Sequence, residues 1–300
     1  MTIQTPTAND TEQGEWVLTL VCADRPGIVH TVSGAVVAAS GNIVELQQFS
    51  SAEDGNGGHG GGGRFFMRVH VEAPVAEDVM REHLDRAAVQ LGADWTLDRV
   101  GRPIRTLVLA SKAGHCLNDL LFRQRSGWLP VEIPLVLSNH PDLAPLAEFY
   151  GVPFADHVVL PETKVEFEQR ILDAVEEHQI ELIVLARYMQ ILSPELCRAL
   201  AGRAINIHHS FLPGFKGANP YRQAHGRGVK LIGATAHFVT SDLDEGPIIE
   251  QNVVRVDHSK SVKELVAIGQ DEESRTLTEA VKLFAERRVL LDGSRTIIFR

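Results

Sequence analysis

The stretch Ile205-Asn206-Ile207-His208-His209-Ser210-Phe211-Leu212-Pro213-Gly214-Phe215 passes from apolar to polar within a few residues. Read as a strand over 204–209, it places Asn206 and His208 on one face and Ile205 and Ile207 on the other. An amide donor beside an imidazole at the open end of a strand suits a developing oxyanion and a proton transfer. The same pair could equally be an Asn and a His satisfied by loop backbone. A zinc site on His208 and His209 is disfavoured, because adjacent strand residues diverge and no third ligand stands at metal spacing. Downstream, His237-Phe238-Val239-Thr240-Ser241-Asp242-Leu243-Asp244-Glu245-Gly246-Pro247-Ile248-Ile249 reads as a strand, an acidic loop and a resumed strand. Taken alone, Asp242, Asp244 and Glu245 read as solvated turn carboxylates.

The elements that must position these residues follow from periodicity. From residue 105 onward, strands at 105–110, 131–138, 154–160, 181–186 and 204–209 alternate with helices near 115–126, 141–150, 162–177 and 193–201. Such alternation predicts an α/β, Rossmann-like, doubly wound parallel sheet, with ligands at the carboxyl ends of its strands. Strands at 233–239 and 247–256 follow, then a long helix from the capping box Ser261-x-x-Glu264 to about Arg288, and a short strand-like tail. Before the seam at Gly101-Arg102-Pro103, strands at 16–22, 42–49, 65–71 and 95–100 and helices at 28–39 and 77–91 spell βαββαβ, a ferredoxin-like unit. The domains expected are 15–101 and 104–300. Residues 1–14 lack periodicity and are expected to be disordered. Ser51 to Gly63 holds seven glycines and reads as a flexible hairpin loop, since a phosphate cradle requires a helix to follow.

Three hundred residues fit two domains of about 150. The chain is 44% hydrophobic and 23% charged, with a net charge of −10, which argues against nucleic acid or anionic lipid as partner. Residues 1–103 carry 7 basic and 14 acidic groups, the remainder 22 and 25, so the acidity is concentrated at the front. No apolar run approaches the ~18 residues of a membrane span. With Arg25 the first basic residue and no apolar segment after Met1, a cytoplasmic location is expected. Cys22, Cys116 and Cys197 are far apart and read as buried thiols.

Taken together, the two constellations resemble the folate-dependent formyltransferase family, whose pattern is INIHxSLLPxFxG followed by HxVxxxxDxGPII. Asn206, His208 and Asp244 match, with His237 seven residues before Asp244. Residues 206–251, 111–123 and 184–195, together with the Asp24-Arg25-Pro26-Gly27-Ile28-Val29 turn, are similar to the formyltetrahydrofolate deformylase branch, which carries an N-terminal ACT domain. His209 replaces the family's usual Pro, a departure that fits this branch.

The resemblance implies hydrolysis of 10-formyltetrahydrofolate to formate and tetrahydrofolate, supplying formate for purine synthesis and balancing one-carbon pools. It implies that Asn206 and His208 stabilise the oxyanion, while Asp244 orients water, holds His208 in its working protonation state and relays a proton. Tyr188, Met189, Gln190, Ile191 and Leu192 correspond to the segment lining the folate pocket, though Met189 and Leu192 could equally pack at a helix start. The Thr240–Asp244 backbone, with Thr240 and Asp242, would meet the pterin's amide edge. Trp128 and Tyr221 could stack on a ligand or simply pack. No cofactor or metal is implied, folate being the substrate. An amino-acid effector at the ACT unit (methionine or glycine) and a homo-oligomer, a tetramer, are implied as well. The alternative is a phosphoribosylglycinamide formyltransferase. Against it, Ser111 to Asn118 has one glycine where a phosphate cradle needs several.

Overall fold

The computed structural model describes residues 14–51, 63–212 and 220–300. The chain forms two units, one comprising Met1–Arg102 with Phe299–Arg300, the other Pro103–Ile298. The final two residues thus group with the first unit, not with the second as the sequence suggested.

In the first unit, β1 (Gly14–Ala23), α1 (Ile28–Ala38), β2 (Asn42–Ser51), β3 (Arg64–Ala73), α2 (Glu77–Leu91) and β4 (Asp94–Arg99) follow the expected βαββαβ order. The sheet is antiparallel in the order β2-β3-β1-β4, with Leu18 paired to Val69 on one side and Leu97 on the other. Alternate residues Trp16, Leu18, Leu20 and Cys22 face α1 and α2, which bury Val32, Val36, Met80 and Leu84 against them. Gly14, within the segment expected to be disordered, is the first residue of β1. Residues 1–13 and 52–62, which hold the rest of that segment and nearly all of the glycine-rich loop, lie outside the described residues.

In the second unit, the apolar runs Leu107–Ala110 and Leu182–Ala186 are buried on both faces, as strands covered by helices on each side must be. Val108, Ala110, Val184 and Ala186 join the core under α3 (His115–Arg125), while Leu107, Leu109, Ile183 and Leu185 join that under α5 (Lys164–Glu177). Seven strands make the sheet: β5 (Ile104–Ala110), β6 (Val131–Ser138), β7 (Phe154–Asp156), β8 (Leu182–Ala186), β9 (Ala204–His208), β10 (Leu231–Phe238) and β11 (Ile248–Arg255). Their order is β11-β10-β9-β8-β5-β6-β7. β5 through β9 are parallel, whereas β10 and β11 extend the sheet as an antiparallel pair. A 3-10 turn at Pro141–Leu143 leads into α4 (Ala144–Tyr150), and α6 (Pro194–Ala199) joins β8 to β9.

Three elements depart from the sequence reading. β7 has three residues and not seven, because β6, its only partner among the described residues, ends at Ser138 and offers nothing to pair beyond Asp156. Pro220–Arg227 forms a helix, α7, whose two buried side chains, Tyr221 and Ala224, leave too thin a stripe to recognise. The long helix α8 (Val262–Ala285) begins at the expected capping box, with Glu264 N–H donating to Ser261 Oγ and Ser261 N–H to Glu264 Oε2. It ends three residues early, as Arg287 turns left-handed and Arg288 N–H reaches back to the Leu283 carbonyl. The tail is a hairpin, β12 (Val289–Asp292) with β13 (Arg295–Ile298). Among the described residues, no helix is long and apolar enough to cross a membrane.

Candidate active site

After β5 the chain moves outward to β6 and β7, then returns to place β8 on the other side of β5, opening a crevice at the strands' carboxyl ends. Ser111, one residue past β5, ties that point together: its hydroxyl donates to Asn139 Oδ1 (2.6 Å) and accepts from the Met189 N–H (3.0 Å). Residues 187–192 are thereby held as an irregular loop, not a helix start, between β8 and α6. A cavity of about 250 Å³ opens here, and all ten residues singled out by the sequence line it.

Their contributions differ. Met189 and Ile191 are 61% and 64% exposed, so they form an apolar rim, and the core-packing alternative for Met189 does not hold. Tyr188 and Leu192 are buried, with the Tyr188 ring stacked on Phe167 at 6.0 Å. Gln190 is partly exposed. Across the cavity, Thr240 donates from its hydroxyl to the Asp242 carbonyl (3.0 Å), drawing the acidic loop into a turn.

At the closed end, the registers of β9 and β10 bring the polar groups together. Asn206 pairs across the strands with His237, and His208 with Thr235. A bulge between Ala236 and His237 re-aims the strand where it meets the loop. His208 Nδ1 lies 3.1 Å from Asp244 Oδ2, and His237 Nε2 lies 3.7 Å from Oδ1. His237 Nδ1 is 2.8 Å from the Phe238 carbonyl and so carries the proton, leaving Nε2 to accept from Asn206 Nδ2 at 3.3 Å. Asn206 therefore presents its NH₂ group to the site, with one N–H still to give. His208 Nε2 is buried and has no hydrogen-bond partner among the described residues.

Asp244 adopts a left-handed backbone (φ 58°), and above all the hydrogen bond from His208 holds its carboxyl well below the usual carboxylate range against the penalty of burial. Gly246 makes the turn feasible. A Cβ there would stand 1.7 Å from the Phe238 carbonyl oxygen, where the Phe238 N–H also bonds the Pro247 carbonyl (2.9 Å). What results is an ionised carboxylate gripping one nitrogen of a buried imidazole, with the other nitrogen and an amide N–H beside it. Such a group can move a proton and stabilise an oxyanion.

Next to it lies a set of residues the sequence reading left out or left without a role. Glu273 on α8 accepts from Tyr221 Oη (2.6 Å) and bonds His115 Nε2 (2.8 Å), with Arg187 Nε 3.3 Å away. Burial raises the Glu273 pKa, but the His115 bond, the Arg187 charge and the Tyr221 bond together bring it below the ordinary value. Arg187 Nη1 in turn meets His209 Nδ1 at 2.6 Å. The rings of His208 and His209 stack at 5.0 Å and 24°, so the expectation that they diverge is corrected: β9 ends at His208, and alternation no longer applies to His209. Tyr221 packs in the fold, against Gly269 of α8, where a Cβ would stand 2.1 Å from its hydroxyl. The available signal was Glu273 itself, a charge four residues from Gly269 and from Leu277 on the apolar face of α8. The ligand atoms of His115, Cys116 and Glu273 lie within 4.8 Å of one another. Yet burial pushes the Cys116 thiol up and the Glu273 oxygens are already engaged, which describes a hydrogen-bonded cluster and not a metal centre.

Residues 104–281 match the family described as formyl transferase, and residues 16–87 match the ACT domain. The chain is 47% identical over 292 residues to a formyltetrahydrofolate deformylase of Corynebacterium sp. (strain P-1), covering 96% of this chain and 99% of that one. It superposes on the crystal structure of formyltetrahydrofolate deformylase from Burkholderia mallei with a TM-score of 0.89 at 48% identity, covering 96% of this chain and all of the other. A glycinamide ribonucleotide transformylase from Symbiobacterium toebii is more distant, with a TM-score of 0.62, 34% identity and 68% of this chain covered. Near-complete coverage by the former and the match of both units lead to one assignment: the chain belongs to the formyltetrahydrofolate deformylase family.

Proposed function

We propose that the protein hydrolyses 10-formyltetrahydrofolate to formate and tetrahydrofolate. The observation that carries this reading is the His208–Asp244 pair, 3.1 Å apart at the closed end of an apolar-rimmed cavity, with Asn206 beside it. The pterin lies between the 188–192 loop and the Thr240–Asp242 turn, and the formyl group reaches Asn206 and His208. Water, oriented by Asp244, adds to the formyl carbon and gives up one proton to the Asp244–His208 pair, and the carbonyl oxygen becomes an anion held by the free Asn206 N–H and by His208. The C–N10 bond then breaks, its electron pair leaves with N10, and N10 takes a proton through His208. The hydroxyl proton of the new acid goes to solvent, leaving formate. Removing one oxyanion donor typically costs about 10²–10³ in rate.

Water is the acceptor because the loop after β5, Ser111 to Asn118, lacks the glycines of a phosphate cradle, and His115 at the start of α3 is bound to Glu273. The formate produced feeds purine synthesis, and an amino acid bound at the ACT unit of a homo-oligomer adjusts the rate. Incubation with 10-formyltetrahydrofolate, with and without glycinamide ribonucleotide, tests the reaction. Formate should appear with tetrahydrofolate in equal amounts whether or not the amine is present. Formyl transfer to the amine without free formate would establish the transferase alternative.

A further inference from the structure

Beside the His208–Asp244 pair runs a line of contacts that the hydrolysis above does not use. Glu273 has 1% of its side chain exposed, an ionised group in a position where a packed aliphatic residue would avoid the desolvation cost. Its Oε2 lies 3.3 Å from Arg187, Arg187 Nη1 lies 2.6 Å from His209 Nδ1, and the His209 ring is stacked on His208. Arg187 holds this place from a left-handed backbone (φ 62°), a conformation a long side chain seldom adopts unless its surroundings impose it. Two costly features, a buried charge and a strained backbone, meet at one end on the catalytic ring stack.

We propose that Glu273, Arg187 and His209 form a positioning relay for His208: Glu273 anchors Arg187, Arg187 fixes the tautomer of His209, and His209 sets the plane of the His208 ring. A guanidinium only donates, so His209 Nδ1 is the bare nitrogen and Nε2 carries the ring's single proton. Burial first, then the charges of Arg187 and His208, push the His209 pKa down to about 4. The groups facing His209 are Arg187 after β8, His208 on β9, Tyr221 on α7, Asp244 after β10 and Glu273 on α8. A second imidazolium 5.0 Å from His208 would oppose the protonation that departure of N10 requires, and a neutral ring does not. Glu273 offsets the charge Arg187 brings, so the guanidinium can exclude a proton from His209 without weighing fully on His208. The kinetic consequence rests on the deformylase reading; the tautomer does not.

The test joins two measurements on the full chain. Nitrogen-15 NMR of labelled histidine reads the His209 tautomer and its titration from pH 5 to 8. Steady-state formate release gives kcat and KM for the wild type, Arg187→Met, Arg187→Lys and Glu273→Gln. The wild type should show His209 protonated at Nε2 alone, with no titration above pH 5. Arg187→Met should raise the His209 midpoint measurably above the wild-type value and lower kcat about tenfold or more, as outer-shell losses do, with KM for the folate within about twofold. Arg187→Lys should recover part of kcat, which a purely structural role would not predict, and Glu273→Gln, which keeps shape, guards against a misfolded Arg187 variant. The relay is overturned if wild-type His209 titrates above pH 6 or carries its proton on Nδ1. It is overturned too if the variants change only KM or leave kcat within twofold. A wild type that releases no formate would overturn the deformylase reading, and the NMR result would still decide the relay.

Discussion

At the scale of single residues, the site works through one carboxylate set beside two imidazoles. Asp244 keeps its charge chiefly because His208 donates it a hydrogen bond, while His237 stands 3.7 Å away and turns its proton to the Phe238 carbonyl. Asp244→Asn preserves the shape but can neither hold an imidazolium nor relay a proton. It should keep folate affinity, measured by equilibrium binding, and lose most turnover; activity above about a tenth of wild type would place Asp244 outside the chemical step. His209 makes a different prediction, about stability. Its folded pKa, about 4, lies below the 6.5 of a free histidine, so between those values the unfolded chain binds more protons than the folded one. Stability must therefore fall as pH drops from about 6.5 towards 4, with a contribution of about 2–3 kcal/mol from this ring. Urea unfolding at pH 7 and pH 4.5 should show His209→Gln losing less stability than wild type by that amount, and equal losses would mean the ring is not held neutral. Asp244, also depressed, acts below this window, its contribution being lost as pH falls past the unfolded value of 3.8.

At the scale of elements, the site depends on where strands stop. Asn206 and His208 are legible in the sequence as a pair, because alternation puts both on one face where an apolar strand turns polar, whereas Asp244 reads by itself as a solvated turn carboxylate and is singled out only by the family resemblance. The strands at 105–110 and 181–186 were legible from their apolar runs, and Val108, Ala110, Val184 and Ala186 are buried in the core. The short β7 was not, since its length is set by the end of β6, a property of another segment. Of the Glu273 cluster only Glu273 itself left a local trace, a charge on the apolar face of α8; its partners at 115, 187, 209 and 221 meet it only after the sheet is wound, and no local spacing announces them. Gly246 shows how tightly one turn controls the chemistry. An added Cβ would lie 1.7 Å from the Phe238 carbonyl, so the backbone between β10 and β11 must move, and Asp244 two residues away must move with it. A displacement of about 1 Å at a reacting group can cost 10²-fold in rate. Gly246→Ala should accordingly lower kcat by about that factor, measured as formate release, while circular dichroism remains native; near-wild-type turnover would show that the loop has slack.

At the scale of the whole molecule, the candidate site belongs to one unit and the ACT match to the other. The described residues lining the cavity run from Leu185 to Asp244, inside the second unit. The first unit has instead a four-stranded sheet with β2 and β4 at its edges, a surface suited to pairing with another copy. It has an acidic excess and a core of its own. A chain beginning at Arg102 should then still bind folate and release formate, though more slowly, since the machinery of β8, β9 and β10 is intact. It should have lost any response to methionine or glycine shown by the full chain. Formate release measured for both chains, with each amino acid added, decides the matter. If the shortened chain responds as the full one does, the effector acts within residues 103–298 and the first unit serves assembly alone.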